Sequence, residues 1–207
     1  TLFRSVVDEM TLDADTLTAT DDFIIDATAD ITLDAGGNLD VVYGRVDLSD
    51  FTSVVNNQGL SIKETRVMIR NPSDPTGVMN ASLIGGLGTG FQNADIMVFG
   101  GTTAYENAND VGIGSPNTFF QASLRTCQYE DGNGNVLFSD NDYIQYGTPD
   151  LHPDGYTVVS DVLIGIAASN VQQYAGITLE CDIMIIAEPI KITKADLNEM
   201  LTQSSDL

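Results

Sequence analysis

Residues 16–39 fall into three successive units of eight. Each unit sets an aliphatic residue at its second position (Leu17, Ile25, Leu33), alanine at its fourth and Asp or Asn at its seventh. A large apolar residue closes each unit (Phe23, Ile31, Leu39). Short strands separated by turns at regular intervals produce such a register. A unit this short cannot bury its own apolar face. The octad must therefore pack either on the body of its own chain or on copies from other chains.

From Leu39 onward the apolar positions alternate, or run together, between clusters of Gly, Pro, Asn and Asp. Ten segments read as strands: residues 39–48, 51–55, 60–70, 78–84, 95–99, 118–129, 135–139, 143–146, 156–167 and 176–187. Within 62–70 the alternation is partial, and its polar face carries Arg66 and Arg70, much of the scarce positive charge. Those two arginines meet acidic groups on an adjacent subunit, or are solvated, or pair within the chain. Asp131-Gly132-Asn133-Gly134 supplies residues that tolerate positive φ between two apolar runs, which predicts a tight hairpin. Helical periodicity is confined to residues 194–202, introduced by Thr193 and Asp196 in a capping-box arrangement. Leu197, Met200 and Leu201 would share one face of that helix.

These elements predict an all-β protein, a β-sandwich of jelly-roll type with about eight to ten strands. The expected organisation is an N-terminal arm carrying the octad over 1–38, the sandwich over 39–192, and a short C-terminal helix and tail over 193–207.

Composition narrows what such a sandwich does. The chain has 207 residues with 43% hydrophobic and 18% charged, so its acidity decorates a folded body large enough for a real core. Its formal charge of −22 repels phosphate backbones, and no Lys or Arg occurs over 71–124 or 126–190, so direct nucleic-acid binding is not expected. Asp outnumbers Glu by 23 to 7, which favours turns over helices. Such acidity suits a saline or calcium-containing setting, or is generic. The longest apolar runs, at 162–168 and 183–187, are far below the roughly 18 residues a membrane span needs. No basic segment followed by an apolar stretch marks a signal peptide at Thr1 to Ser5.

Candidate chemistry is sparse. Cys127 and Cys181 lack metal-ligand spacing and read as buried free thiols. The single histidine, His152, lies in a turn-like segment with no activated nucleophile in sight, and no GxSxG motif is present. One histidine cannot build the His-rich metal site of a jelly-roll oxygenase, so an enzyme is not expected. Gly85-Gly86-Leu87-Gly88-Thr89-Gly90 lacks the Lys and helix of a phosphate cradle and reads as a surface loop. Asp131, Asn133, Asn135 and Asp142 are spaced like Ca²⁺-loop ligands, yet Val136 stands where that loop needs glycine, so a hairpin is the better reading. No cofactor is expected, although structural calcium held between chains by Asp21, Asp22, Asp140 or Asp142 is compatible with the charge.

The stretch from Ile25 to Gly37 resembles the octapeptide repeats of phage virion proteins, including the intertwined trimeric β-helices of tail spikes. Residues 42–50, followed by 59–66, resemble the first strands of small jelly-roll capsid proteins of viruses. The resemblance implies a virion structural protein, a capsid subunit in an extracellular particle. It would form a trimer or higher lattice with itself and contact other virion proteins. Assembly contacts would then come from Leu17, Phe23, Ile25, Ile31, Leu33 and Leu39 of the octad, from Arg66 and Arg70, and from Leu197, Met200 and Leu201. The alternatives are a phage tail, appendage or decoration protein, or an extracellular binding, adhesin or surface-lattice module. For a sugar-binding module the absence of Trp is unfavourable, with Tyr105, Tyr143 and Tyr146 as substitutes.

Overall fold

Strand-forming sequence dominates the computed structural model, which describes residues 12–18, 23–53, 55–79, 82–85, 88–147, 152, 154–196 and 200. The strands are β1 (Leu12–Thr18), β2 (Phe23–Thr32), β3 (Leu39–Val46), β4 (Gln58–Arg70) and β5 (Gly90–Gly101). They continue with β6 (Thr118–Glu130), β7 (Val136–Gly147), β8 (Tyr156–Val158), β9 (Val162–Ser169) and β10 (Thr178–Lys191). Two antiparallel five-stranded sheets result, ordered β1-β2-β10-β4-β8 and β3-β9-β5-β6-β7. The pairing is nested: β2 with β10, β3 with β9, β4 with β8 and β5 with β6. Successive nested pairs alternate between the sheets, so a long folded-back chain is wrapped into an all-β sandwich.

The core forms where the period-two faces of both sheets meet. One sheet contributes Ile25, Ile31, Leu60, Ile62, Ile183 and Ile185, and the other Ile96, Val98, Phe120, Val162, Ile164 and Ile166, all buried. Enclosing each such side chain contributes about 1.5–3 kcal/mol relative to leaving it in water. The partial alternation of β4 has a local cause. Its register with β10 shifts between Ile186 and Ala187, leaving Lys63 as an extra residue. The bulge moves the inward face from Leu60 and Ile62 to Thr65 and Ile69.

The octad belongs to this body. Its apolar positions are all odd-numbered, and an even period of eight keeps them on one face of a strand. Ile25, Ala29, Ile31 and Leu33 are core residues, and β2 lies between β1 and β10. The chain therefore does not divide into arm and sandwich at residue 38, and turns do not recur every eight residues. One unbroken ten-residue strand runs through the second unit into the third. Phe23 is in register with Ala187 and Leu17 with Ile24, and Leu39 packs against the core from the start of β3.

Other expected elements are redrawn. Residues 51–53 are not a strand, because the N–H groups of Phe51 and Thr52 turn back to the Leu48 carbonyl, with only an isolated bridge from Ser53 to Gln58. The described part of 78–84 has no strand. Segments 135–139 and 143–146 merge into β7, whose Asn141 accepts a hydrogen bond from Thr126 Oγ1 at 2.8 Å. Segment 156–167 instead breaks into β8 and β9, which cross from one sheet to the other. At the crossing the Asp161 carboxylate accepts from the Leu48 N–H at 2.9 Å and pairs with Arg45.

At the C-terminus the capping interaction is present, with Thr193 Oγ1 donating to Asp196 Oδ2 at 2.7 Å and accepting from Asp196 N at 3.2 Å. Residues 194–196 and Met200 are helical. Met200 packs against Val159 and Ile192 of its own sandwich. Leu197 and Leu201 lie outside the described residues, as do Asp21 and Asp22.

Ile31→Ala separates an arm from a core strand. Truncation inside this sandwich is expected to cost about 2–5 kcal/mol in urea unfolding of the chain, whereas an arm residue would cost almost nothing.

Candidate functional site

Side chains that point away from the core form rows across the second sheet, because antiparallel register aligns outward positions on neighbouring strands. At the end nearest residues 102–117, Phe99 is covered by Tyr43 and Tyr105, with ring centroids at 5.8 and 6.4 Å. Tyr43 Oη donates to the Tyr105 carbonyl at 2.9 Å and accepts from Tyr105 N–H at 2.7 Å, which ties β3 to that segment. This burial pushes the Tyr43 hydroxyl above its usual pKa. Gly165 lies beneath the Phe99 ring, where a Cβ would sit 2.3 Å from it.

Next along the sheet, an open groove of about 800 Å³ is lined by Asp40, Asp95, Met97, Glu106, Gln121 and Arg125, among others. Gln121 Oε1 is buried there with no hydrogen-bond partner. Arg125 Nε donates to Asp95 Oδ2 at 2.9 Å, and Ser123 Oγ donates to Asp95 Oδ1 at 2.9 Å, so the cation bordering this groove is already paired. A smaller hollow of about 310 Å³ shares Asp95 and Arg125 and is bounded by Asn93, Cys127, Asp140 and Asp142. Beyond it, Phe91, Tyr129 and Phe138 stand in register on three adjacent strands. The Phe91 and Tyr129 centroids are 4.7 Å apart, and Phe91 is 72% exposed.

Of the residues singled out from sequence, Tyr105, Cys127, Asp140 and Asp142 border this face, whereas Arg66 and Arg70 do not. Arg66 pairs with Glu64 at 2.6 Å, and Arg70 with Asp182 at 2.5 Å and Glu180 at 3.0 Å, all within the chain and on the other sheet. Asp131, Asn133 and Asn135 form the expected hairpin turn. Asp131 Oδ1 accepts from the N–H groups of Asn133 at 2.9 Å and Asn135 at 3.0 Å, and Gly134 takes φ +81°. Asp142 sits seven residues further along β7, about 20 Å from that turn at strand rise, so the four do not form one calcium site. Among the described residues no cluster of three His, Cys, Asp or Glu side chains is arranged to hold a metal.

His152 packs on Tyr156 at 4.8 Å, with Nε2 3.4 Å from the Thr118 carbonyl. Thr118 opens β6, nine residues from Cys127 and hence about 30 Å away along the strand, so Cys127 and His152 do not pair. Of the two free thiols only Cys181 is buried; Cys127 is half-buried and borders the smaller hollow. Burial pushes the Cys181 thiol up to about 12.

The aligned rows were beyond reach of sequence reasoning. Each strand showed its period of two, but only register places Phe91, Tyr129 and Phe138 side by side. No family model matches the chain, and no curated protein matches it.

Two outcomes follow from this geometry. A thiol reagent at pH 8 should modify Cys127 in the native chain and reach Cys181 only after denaturant is added, as mass spectrometry would read directly. The Asp34 carboxyl is held below its ordinary range chiefly by the Asn38 N–H, and that of Asp131 chiefly by the Asn135 side chain. Carboxylates lowered in the folded state stabilise it fully above about pH 4 and lose that contribution as pH falls through their lowered values. Tm should therefore drop on acidification below about pH 4, and less steeply in the Asp34→Asn, Asp131→Asn double variant.

Proposed function

We propose that this chain is a structural subunit of a virus particle, a shell protein whose sandwich is of the jelly-roll kind. The supporting observation is the set of four nested pairs, β2 with β10 through β5 with β6, alternating between two sheets. Wrapping a folded-back chain in this way is how a double-sheet jelly roll is built. A charge of −22 leaves genome contact to other proteins of the particle. Copies of the chain assemble as a trimer or larger lattice, with structural calcium as one means of bridging acidic surfaces. A tail, appendage or decoration protein would use the same scaffold. The polar groove on the second sheet favours one further reading, an extracellular binding or adhesin module.

Light scattering of the full chain across salt and calcium concentrations tests the assembly reading. A trimer or larger particle is expected, with mass that responds to salt. A monomer under all conditions removes the shell proposal and puts the binding module first.

A further inference from the structure

Strand β7 ends the second sheet, so among the described residues its side away from β6 has no neighbouring strand. Residues 136–143 are exposed on both of its faces. The first sheet has a comparable edge on β4, beyond the three residues covered by β8, but there the carbonyls are occupied. Tyr143 Oη donates to Val67 O at 3.2 Å and Gln145 Nε2 to Thr65 O at 2.5 Å. Strand β7 thus closes its neighbour's edge with side chains while its own backbone row stays open. An open row of N–H and C=O groups is a template for an added strand.

The side chains define which strand would fit. Along its outward face β7 presents Phe138, Asp140, Asp142 and Ile144 in succession, two carboxylates between apolar residues. Arg125 is in register with Asp142, but its Nε is committed to Asp95. Asp140 is in register with Cys127 and has no ion pair among the described residues. Phe138, half exposed, extends the ring row of Tyr129 and Phe91, and Val136 and Leu137 beside it are 50% and 64% exposed. A second copy is a poor occupant. Two-fold antiparallel pairing about Asn141 would set Asp140 of each chain opposite Asp142 of the other, and like charges directly opposed destabilise a sheet. Each copy would also bring a further charge of −22.

We infer that β7 docks an extended segment of a different protein, one that carries Lys or Arg opposite Asp140 and Asp142 and an apolar side chain over Phe138. Backbone bonding supplies the affinity, and the carboxylate pair between Phe138 and Ile144 supplies the selection. The inference does not depend on the chain forming a shell, because the edge is complete in a single copy.

The test titrates the full chain with a synthetic peptide of about ten residues, the length of a typical long strand, alternating Lys with Val and Leu. A control peptide has Glu at each Lys position. Calorimetry and amide chemical shifts report binding and its location. The Lys peptide is expected to bind, to shift amides of residues 136–147, and to bind roughly tenfold more tightly than the Glu peptide. Asp140→Asn with Asp142→Asn, both exposed and expected to leave Tm unchanged, should weaken it roughly fivefold, the scale of two exposed ion pairs. Absent binding, equal binding of both peptides, or shifts confined to other strands overturn the inference. So does a homodimer in light scattering whose β7 amides are protected from exchange, since a second copy then holds the edge.

Discussion

The first sheet is held together through β10. That strand lies between β2 and β4, pairing with Phe23 to Thr32 on one side and Gln58 to Arg70 on the other. Its inward residues Leu179, Cys181, Ile183, Ile185 and Ala187 are all buried, so it supplies the middle of the core as well as both ladders. Without it, β1 and β2 would be a detached hairpin, and isolated hairpins are marginal in water. Its outward residues Glu180 and Asp182 hold Arg70, and Asp182 also accepts from Thr28 Oγ1, which fixes the same three strands from the solvent side. Those partly exposed pairs add little energy beside the buried face, but they agree with its register.

The acidic composition has a structural use beyond solubility. Asp34, Asp47, Asp74 and Asp131 each accept a backbone N–H from the residue two positions on. Such side-chain bonding stands in for a turn's missing backbone partners, and the shorter Asp reaches it where Glu does not. Residues 34–38 and 131–135 even share a pattern, Asp followed by Gly at the fourth position and Asn at the fifth, with the glycine at positive φ in both. The excess of Asp over Glu is therefore partly a requirement of a fold with many tight connections.

Several features were legible in the residues themselves: the all-β class, the Asp131 hairpin and the Thr193 cap, because each depends on local chemistry. Boundaries set by distant partners were not. Ile25, Ile31 and Leu33 read equally well as an arm or as core, since period two shows that a face is buried but not what buries it. Residues 156–167 read as one strand segment, and only the tie between Asp161, Arg45 and Leu48 reveals the crossing within it. Asp140, Asn141 and Asp142 look like a turn, yet they extend a strand because an edge position leaves their polar groups in water. The outward rows, and with them the open edge of β7, depend on register between segments up to dozens of residues apart.

The nested pairing also sets the order in which the molecule can be made. A ribosome releases β2 well before β10, so the apolar faces of Ile25, Ile31, Leu60 and Ile62 must wait, uncovered, for Ile183 and Ile185. Pairing across such sequence separations is slow to form, and uncovered strands invite association during the delay. Mutual repulsion between nascent chains of strongly negative charge opposes that association. The acidity seen on the finished protein thus also protects the chain before it has a fold.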